Sequence, residues 1–282
     1  MKRRMYSILA IVLYLMCQNS FAQTTRQTGT DIVPQKSRKM KGTFYLEWGY
    51  NQELYTRSTI HFVNTKTDNY NFTLHNATAH DKPGGDRGYL LNKPLTVPQY
   101  NFHIGYLFND KHNWGVELSW DHLKYIVDDN QVLHVTGEIR GHAIDKDTLV
   151  TTTFVHLQHT NGNNYLMGNL VKKSSIFKRR KFELSGISKV GIGPMVSYSI
   201  SDILGSINNG HFRIDGFVVG LSSGLRADLF RYFFIQATSQ GALAEYLSTQ
   251  LGADQVGRAK HHFFSLAGSV TIGFNFPLAK QK

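Results

Sequence analysis

The chain has 282 residues, a formal net charge of +11, one cysteine and a mean hydropathy of −0.29. One cysteine excludes an intramolecular disulfide and a thiolate-built metal centre, and the absence of a second composition class favours a single large domain. The low hydropathy does not exclude a membrane protein, because in a membrane β-barrel every second strand residue faces a polar lumen.

Lys2, Arg3 and Arg4 precede an apolar run over residues 6–16, and Ser20-Phe21-Ala22 supplies small residues where a signal peptidase reads. The run is shorter than the roughly 20 residues of a spanning helix, so residues 1–22 read as a cleavable signal peptide. Cys17 then leaves with it, and the mature chain begins at Gln23. Residues 23–41 are polar and without period, which predicts a flexible periplasmic lead-in, and residues 42–282 form the candidate barrel.

The first strand alternates Phe44, Leu46, Trp48 and Tyr50 with Tyr45, Glu47, Gly49 and Asn51. Short strands are expected near residues 60–63 and 70–74, followed by turn chemistry at 81–86 and a long connection to Pro98. Residues 100–108 and 114–121 alternate again and read as a hairpin around Asn109. Further strands are expected at 132–139 and 149–158. Residues 160–180 look like a polar connection, and Lys172, Lys173, Lys178, Arg179, Arg180 and Lys181 make it and the residue after it basic.

Residues 182–200 alternate at a length beyond the 9–11 residues that a membrane strand needs, and Pro194 predicts a bulge or break there. Strands over 212–226 and 231–246 follow. The clearest alternation is the last: Phe264, Leu266, Gly268, Val270, Ile272, Phe274 and Phe276 share one face, opposite Ser265, Ala267, Ser269, Thr271, Gly273 and Asn275. An apolar face opposite a small polar one predicts an all-β, antiparallel transmembrane β-barrel of about 10 strands, with 8 to 12 possible because 52–68 and 160–180 could hide a hairpin. The short turns do not fall consistently at one end in this assignment. A soluble sandwich is the structural rival.

Several segments then carry a resemblance. Residues 42–52 (GTFYLEWGYNQ), 58–83, 98–110 (PQYNFHIGYLFND), 120–131 (WDHLKYIVDDNQ) and 157–165 (LQHTNGNNY) resemble a family of exported outer-membrane β-barrel proteins of Bacteroidetes-type bacteria. The resemblance implies an outer-membrane address and a barrel, and it brings no catalytic residues with it.

Period-two parity places Glu47, His103, Glu117, Asp121, His156, Glu183, Lys189, Arg226 and Gln236 in the lumen. These residue types could hold a His–carboxylate acid–base site, or they could simply fill a narrow barrel with paired charge. No metal site is expected, since His156 and His159 are three apart and fall on opposite faces of a strand, and no cofactor is expected either. Gly220-Leu221-Ser222-Ser223-Gly224 matches a nucleophile elbow by letter only, because the period-two pattern runs straight through it. The expected partners are outer-membrane lipid and lipopolysaccharide, whose phosphates suit the basic stretch, and an exported chain meets no nucleic acid. The leading reading is a structural or interaction barrel or a narrow pore, without covalent chemistry. The alternatives are a membrane-embedded lipid A hydrolase or acyltransferase, and a soluble periplasmic ligand-binding barrel.

Overall fold

The computed structural model describes residues 40–82, 99–109 and 112–279, and its regular elements are all strands. The expected signal peptide, nearly all of the lead-in and the connection over 83–98 lie outside the described residues. Fourteen strands form one antiparallel sheet.

Eight of them are β1 (Met40–Tyr55), β5 (Tyr100–Phe108), β6 (Trp114–Val127), β9 (Val155–Arg179), β10 (Phe182–Ile203), β12 (Phe212–Leu229), β13 (Phe233–Leu251) and β14 (Gly257–Ala279). They follow one another as hydrogen-bonded neighbours. Strand β14 then pairs back onto β1, from Met40 opposite Ala279 to Tyr55 opposite Ser265, so the ring closes. Closure leaves no exposed edge in the barrel wall. Eight strands sit at the lower end of the expected range.

The end where β1 begins and β14 finishes is called here the base, and the opposite end the crown. At the crown, β14 continues into a four-stranded arm made of β2 (Ser58–Asn64), β3 (Tyr70–Ala77), β7 (Gln131–Ile139) and β8 (His142–Val150), in that order. Two short strands complete the sheet, β4 (Ala79–His80) against β6 and β11 (Ser206–Asn208) against β10. Arg140 and Gly141 both take positive φ, 51° and 80°, between β7 and β8, the geometry of a two-residue hairpin turn whose twist matches its strands.

The hydrophobic side of the wall inverts along the barrel axis. Through the lower and middle barrel the apolar face points outward: Leu118, Ile192, Val270 and Phe274 are all exposed, while Glu47, Asp121, Lys189 and Thr271 are buried. Above this belt the same strands turn their apolar residues inward. On β14, Ala259 and Phe263 are buried while Lys260 and His262 are exposed. The crown core joins Tyr125, Leu157, Ile203, Tyr246 and Phe263 from the barrel strands to Ile60, Phe62, Phe72 and Val135 from the arm.

Three expectations need correction. Residues 160–180 are no loop: all but Arg180 belong to β9, whose 25 residues make it the longest strand among the described residues. The run Asn161-Gly162-Asn163-Asn164 has turn composition, yet Asn163 and Asn164 pair with both β6 and β10, so tertiary pairing overrides local propensity. The strand expected over 149–158 is instead the end of β8 and the start of β9, with turns between them at 152–154. Once β9 is a strand, the short connections 109–113, 180–181 and 230–232 all fall at the base, which is why no consistent end emerged without it.

Pro194 does sit beside an irregularity. The β10–β12 register shifts between Met195 and Val196, and the β9 pairing passes from Ile192 to Met195, as a residue without an N–H requires. Inside the wall, aromatic rings lie over glycines directly opposite in register. A side chain at Gly105 would meet the Tyr45 ring, and one at Gly273 would meet the Phe234 ring.

Candidate functional site

Midway up the bore, seven of the eight barrel strands contribute to one connected polar set. Lys189 on β10 is at its centre, with Nζ donating to Glu117 Oε1 and Oε2 at 2.8 and 2.6 Å and to Glu47 Oε1 at 3.2 Å. His103 on β5 bridges the other way, with Nδ1 2.5 Å from Glu47 Oε1 and Nε2 2.7 Å from Asp121 Oδ1. An imidazole facing a carboxylate oxygen at each nitrogen satisfies both contacts only when both nitrogens carry hydrogen.

The remaining acceptor capacity is filled from the other strands. Tyr45 Oη donates to Glu117 Oε2 at 2.7 Å, Gln236 Nε2 to Glu47 Oε1 at 3.2 Å, Thr271 Oγ1 to Glu47 Oε2 at 3.2 Å, and Asn169 Nδ2 to Glu117 Oε1 at 3.3 Å. Towards the crown the set continues through Asn101, which donates to Asp121, to Asn51 and Gln99. Every carboxylate therefore has a cationic or hydrogen-bonding partner, as burial demands.

One atom each from Glu47, His103 and Glu117 lie within 4.8 Å of one another, the convergence a cation needs. The Lys189 ammonium already lies among them, so the chain supplies its own cation there.

A second cluster lies nearer the base. Arg226 is fully buried, with its guanidinium carbon 3.4 Å from the Phe234 ring centre and 5.0 Å from that of Tyr45. Its Nε and Nη2 donate to Asp228 Oδ1 at 3.2 Å, and Nη2 donates to Asn275 Oδ1 at 2.6 Å. Lys173 pairs with Asp228 Oδ2 at 2.8 Å and stands 3.6 Å from Glu183, which Lys178 also approaches at 3.6 Å.

A third group is buried below the crown. His159 and His261 both stack on Tyr246, at 4.4 and 4.5 Å between ring centres. His159 Nδ1 lies 2.6 Å from Ser199 Oγ, the kind of pair a hydrolase would need. The order is wrong for a triad, however: Asp215 accepts from Ser197 and Ser199 and does not orient the histidine. His159 and Ser199 are also buried.

Of the nine lumen candidates, Glu47, His103, Glu117, Asp121, Lys189 and Gln236 meet in the central set. Arg226 and Glu183 belong to the base cluster. His156 is misplaced: it faces outward to Asp129 at 2.9 Å, and Val155, Leu157 and His159 point in. That part of β9 stands above the belt, where the inner side is apolar, so the polar parity that marks the lumen lower down marks the outside here. The basic stretch divides too: Lys172, Lys173, Lys178 and Arg179 are strand residues, and Arg180 and Lys181 form the turn. Gly220, Ser222 and Gly224 lie within β12, without the helix an elbow needs.

No protein-family model matches the chain, and no curated protein matches its sequence. Among solved structures, Ail, the attachment invasion locus protein of Yersinia pestis, crystallised with the heparin analogue sucrose octasulfate, aligns at 14% identity and a TM-score of 0.31, covering 84% of this chain and 100% of Ail. The outer membrane protein OprG of Pseudomonas aeruginosa aligns at 11% identity and 0.37, covering 84% and 97%. The Escherichia coli outer membrane protease OmpT aligns at 8% identity and 0.32, covering 85% and 98%.

Residues that sequence reading left out of the site are Tyr45, Asn51, Gln99, Asn101, Asn169 and Thr271. Tyr45, Asn51 and Asn101 share the inward parity of Glu47 and His103, so parity alone was signal enough for them. Asn169 is hidden because the composition of 160–180 is that of a connection.

Proposed function

We propose that the chain is an integral outer-membrane β-barrel that displays its crown sheet on the cell surface and conducts nothing through its bore. The observation that carries this reading is the connected set around Lys189, which joins seven of the eight strands across the lumen. An eight-stranded barrel has a bore that side chains can just fill, and here they fill it with mutually satisfied charge.

The exposed apolar belt supports a lipid environment. Leu118, Ile192 and Val270 are 60–70% exposed, and an uninterrupted apolar band around a soluble barrel would be an aggregation hazard. Exposed Trp114, Phe177, Phe182 and Phe230 near the base, with Trp120 and Phe212 nearer the crown, suit the aromatic girdles of a membrane barrel. Short connections at the base suit the periplasmic side, and the arm suits the outside. Lipid would contact the belt, and lipopolysaccharide would surround the crown side. The signal peptide over residues 1–22 would supply export.

The test combines conductance with topology. Purified protein in a planar bilayer should show no stable conductance steps, and steady stepwise currents would overturn the closed-bore reading. On intact cells, a membrane-impermeant maleimide should label Asp145→Cys in β8 and leave Arg180→Cys in the base turn unlabelled until the cells are permeabilised. The reverse labelling would overturn the display reading.

A further inference from the structure

The mouth of the barrel at the base is a cavity of about 570 Å³. Seven lysines and arginines line it against two carboxylates, Glu183 and Asp228. Both carboxylates are already committed, Asp228 to Arg226 and Lys173, and Glu183 to Lys173 and Lys178. Arg179, Arg180 and Lys181 also line the cavity and have no ion pair among the described residues. Among the described residues, these three charges are therefore uncompensated.

A second observation points to a ligand. Arg226 lines this cavity with no exposed surface, held against two aromatic rings, and its Nη1 has no hydrogen-bond partner among the described residues. A buried N–H left without an acceptor is costly, and because Nε and Nη2 already donate to Asp228 and Asn275, Nη1 is the nitrogen left for a ligand oxygen.

We propose that the base cavity binds a phosphate group. A phosphate brings roughly one to two negative charges and at least two strong acceptor oxygens, the lower figures being those of a phospholipid diester, which match a site with surplus cations and an unfilled guanidinium nitrogen. Phe182, Phe230, Leu107 and Pro277 border the cations, an arrangement that also suits the headgroup of a phospholipid whose chains lie against the belt. The same chemistry could come from a phospholipid headgroup or from free phosphate. The lipid source rests on the membrane reading above, and the free-phosphate source does not.

The test uses the folded full-length barrel in a neutral maltoside detergent, titrated with inorganic phosphate and followed by ³¹P line broadening. In parallel, native mass spectrometry compares retention of phosphatidylglycerol with that of phosphate-free diacylglycerol. Saturable phosphate binding that weakens about tenfold in Arg226→Met, roughly the loss of one hydrogen bond to a charged group, supports the site with a soluble anion. Preferential retention of phosphatidylglycerol that disappears in Arg179→Ser/Arg180→Ser supports it with a lipid. That double variant changes exposed residues only, so it carries both arms if Arg226→Met does not fold. Absence of both saturable phosphate binding and phosphatidylglycerol preference overturns the proposal, as does binding that every folded variant leaves unchanged. Conductance and labelling, which test the display reading, are independent of all these readouts.

Discussion

At the scale of residues, Lys189 is the lysine that joins Glu47 to Glu117 in the bore. Lys189→Met leaves two buried carboxylates without it, and stripping one partner from a buried ion pair costs about 3–5 kcal/mol. The urea midpoint for loss of the compact, heat-modifiable form should fall accordingly, and Lys189→Met/Glu117→Gln should recover part of the loss. Equal midpoints for the single and double variants would show that the charge pairing is not what the lysine supplies. Gly273→Val is expected to cost about 1–3 kcal/mol by overpacking, because the new side chain meets the Phe234 ring that lies on Arg226. The penalty should shrink in a Phe234→Leu background, measured by the same unfolding midpoints. Most of the central set was legible at this scale, since Glu47, His103, Glu117, Asp121, Lys189 and Gln236 needed only parity within strands whose apolar faces were evident. His156 was not, because inward means polar inside the belt and apolar above it, and no single residue announces on which side of that boundary it stands.

At the scale of elements, a small contact between two turns adds to the β14–β2 pairing and the shared core that tie the arm to the barrel. Thr67, between β2 and β3, donates to Asp254 Oδ2 at 2.5 Å, and the Val256 N–H donates to Asp254 Oδ1 at 3.0 Å. These bonds, the Thr67 hydroxyl first, hold the Asp254 carboxyl below the usual aspartate range. A carboxyl depressed in the folded state stabilises above its unfolded value, about 3.9, and that contribution is lost as pH falls through the lower folded value. Amide-exchange protection of residues 64–68 should therefore exceed that of Asp254→Asn near neutral pH and converge with it in acid. A constant gap at all pH values would count against this tie. Legibility was uneven here as well. Strand β14 could be read from its alternation alone, whereas β9 could not, because Asn161-Gly162-Asn163-Asn164 carries the composition of a turn and only its pairing with β6 and β10 makes it a strand.

At the scale of the molecule, a closed ring resists detergent unfolding until it is heated. The mature protein from an outer-membrane fraction should run as a faster band unheated than boiled, whereas a soluble periplasmic form without a shift would remove the lipid-facing reading of the belt. Fold class followed from length, parity and the last strand. The number of barrel strands did not, because the arm strands β2, β3, β7 and β8 obey the same period-two rule as the wall. Only β14 pairing back onto β1 separates wall from arm. The crown core, finally, has no seam with the barrel. Leu123, Tyr125, Leu157, Ile203, Tyr246 and Phe263 all reach it on strands that also build the wall below. A lineage carrying this fold could exchange the β2–β3 or β7–β8 hairpin at the breaks 56–57 and 128–130, but each new hairpin would have to pack on the crown residues that the wall strands keep. Change at the crown is therefore constrained by this shared core, and least constrained at exposed tips such as Arg140-Gly141.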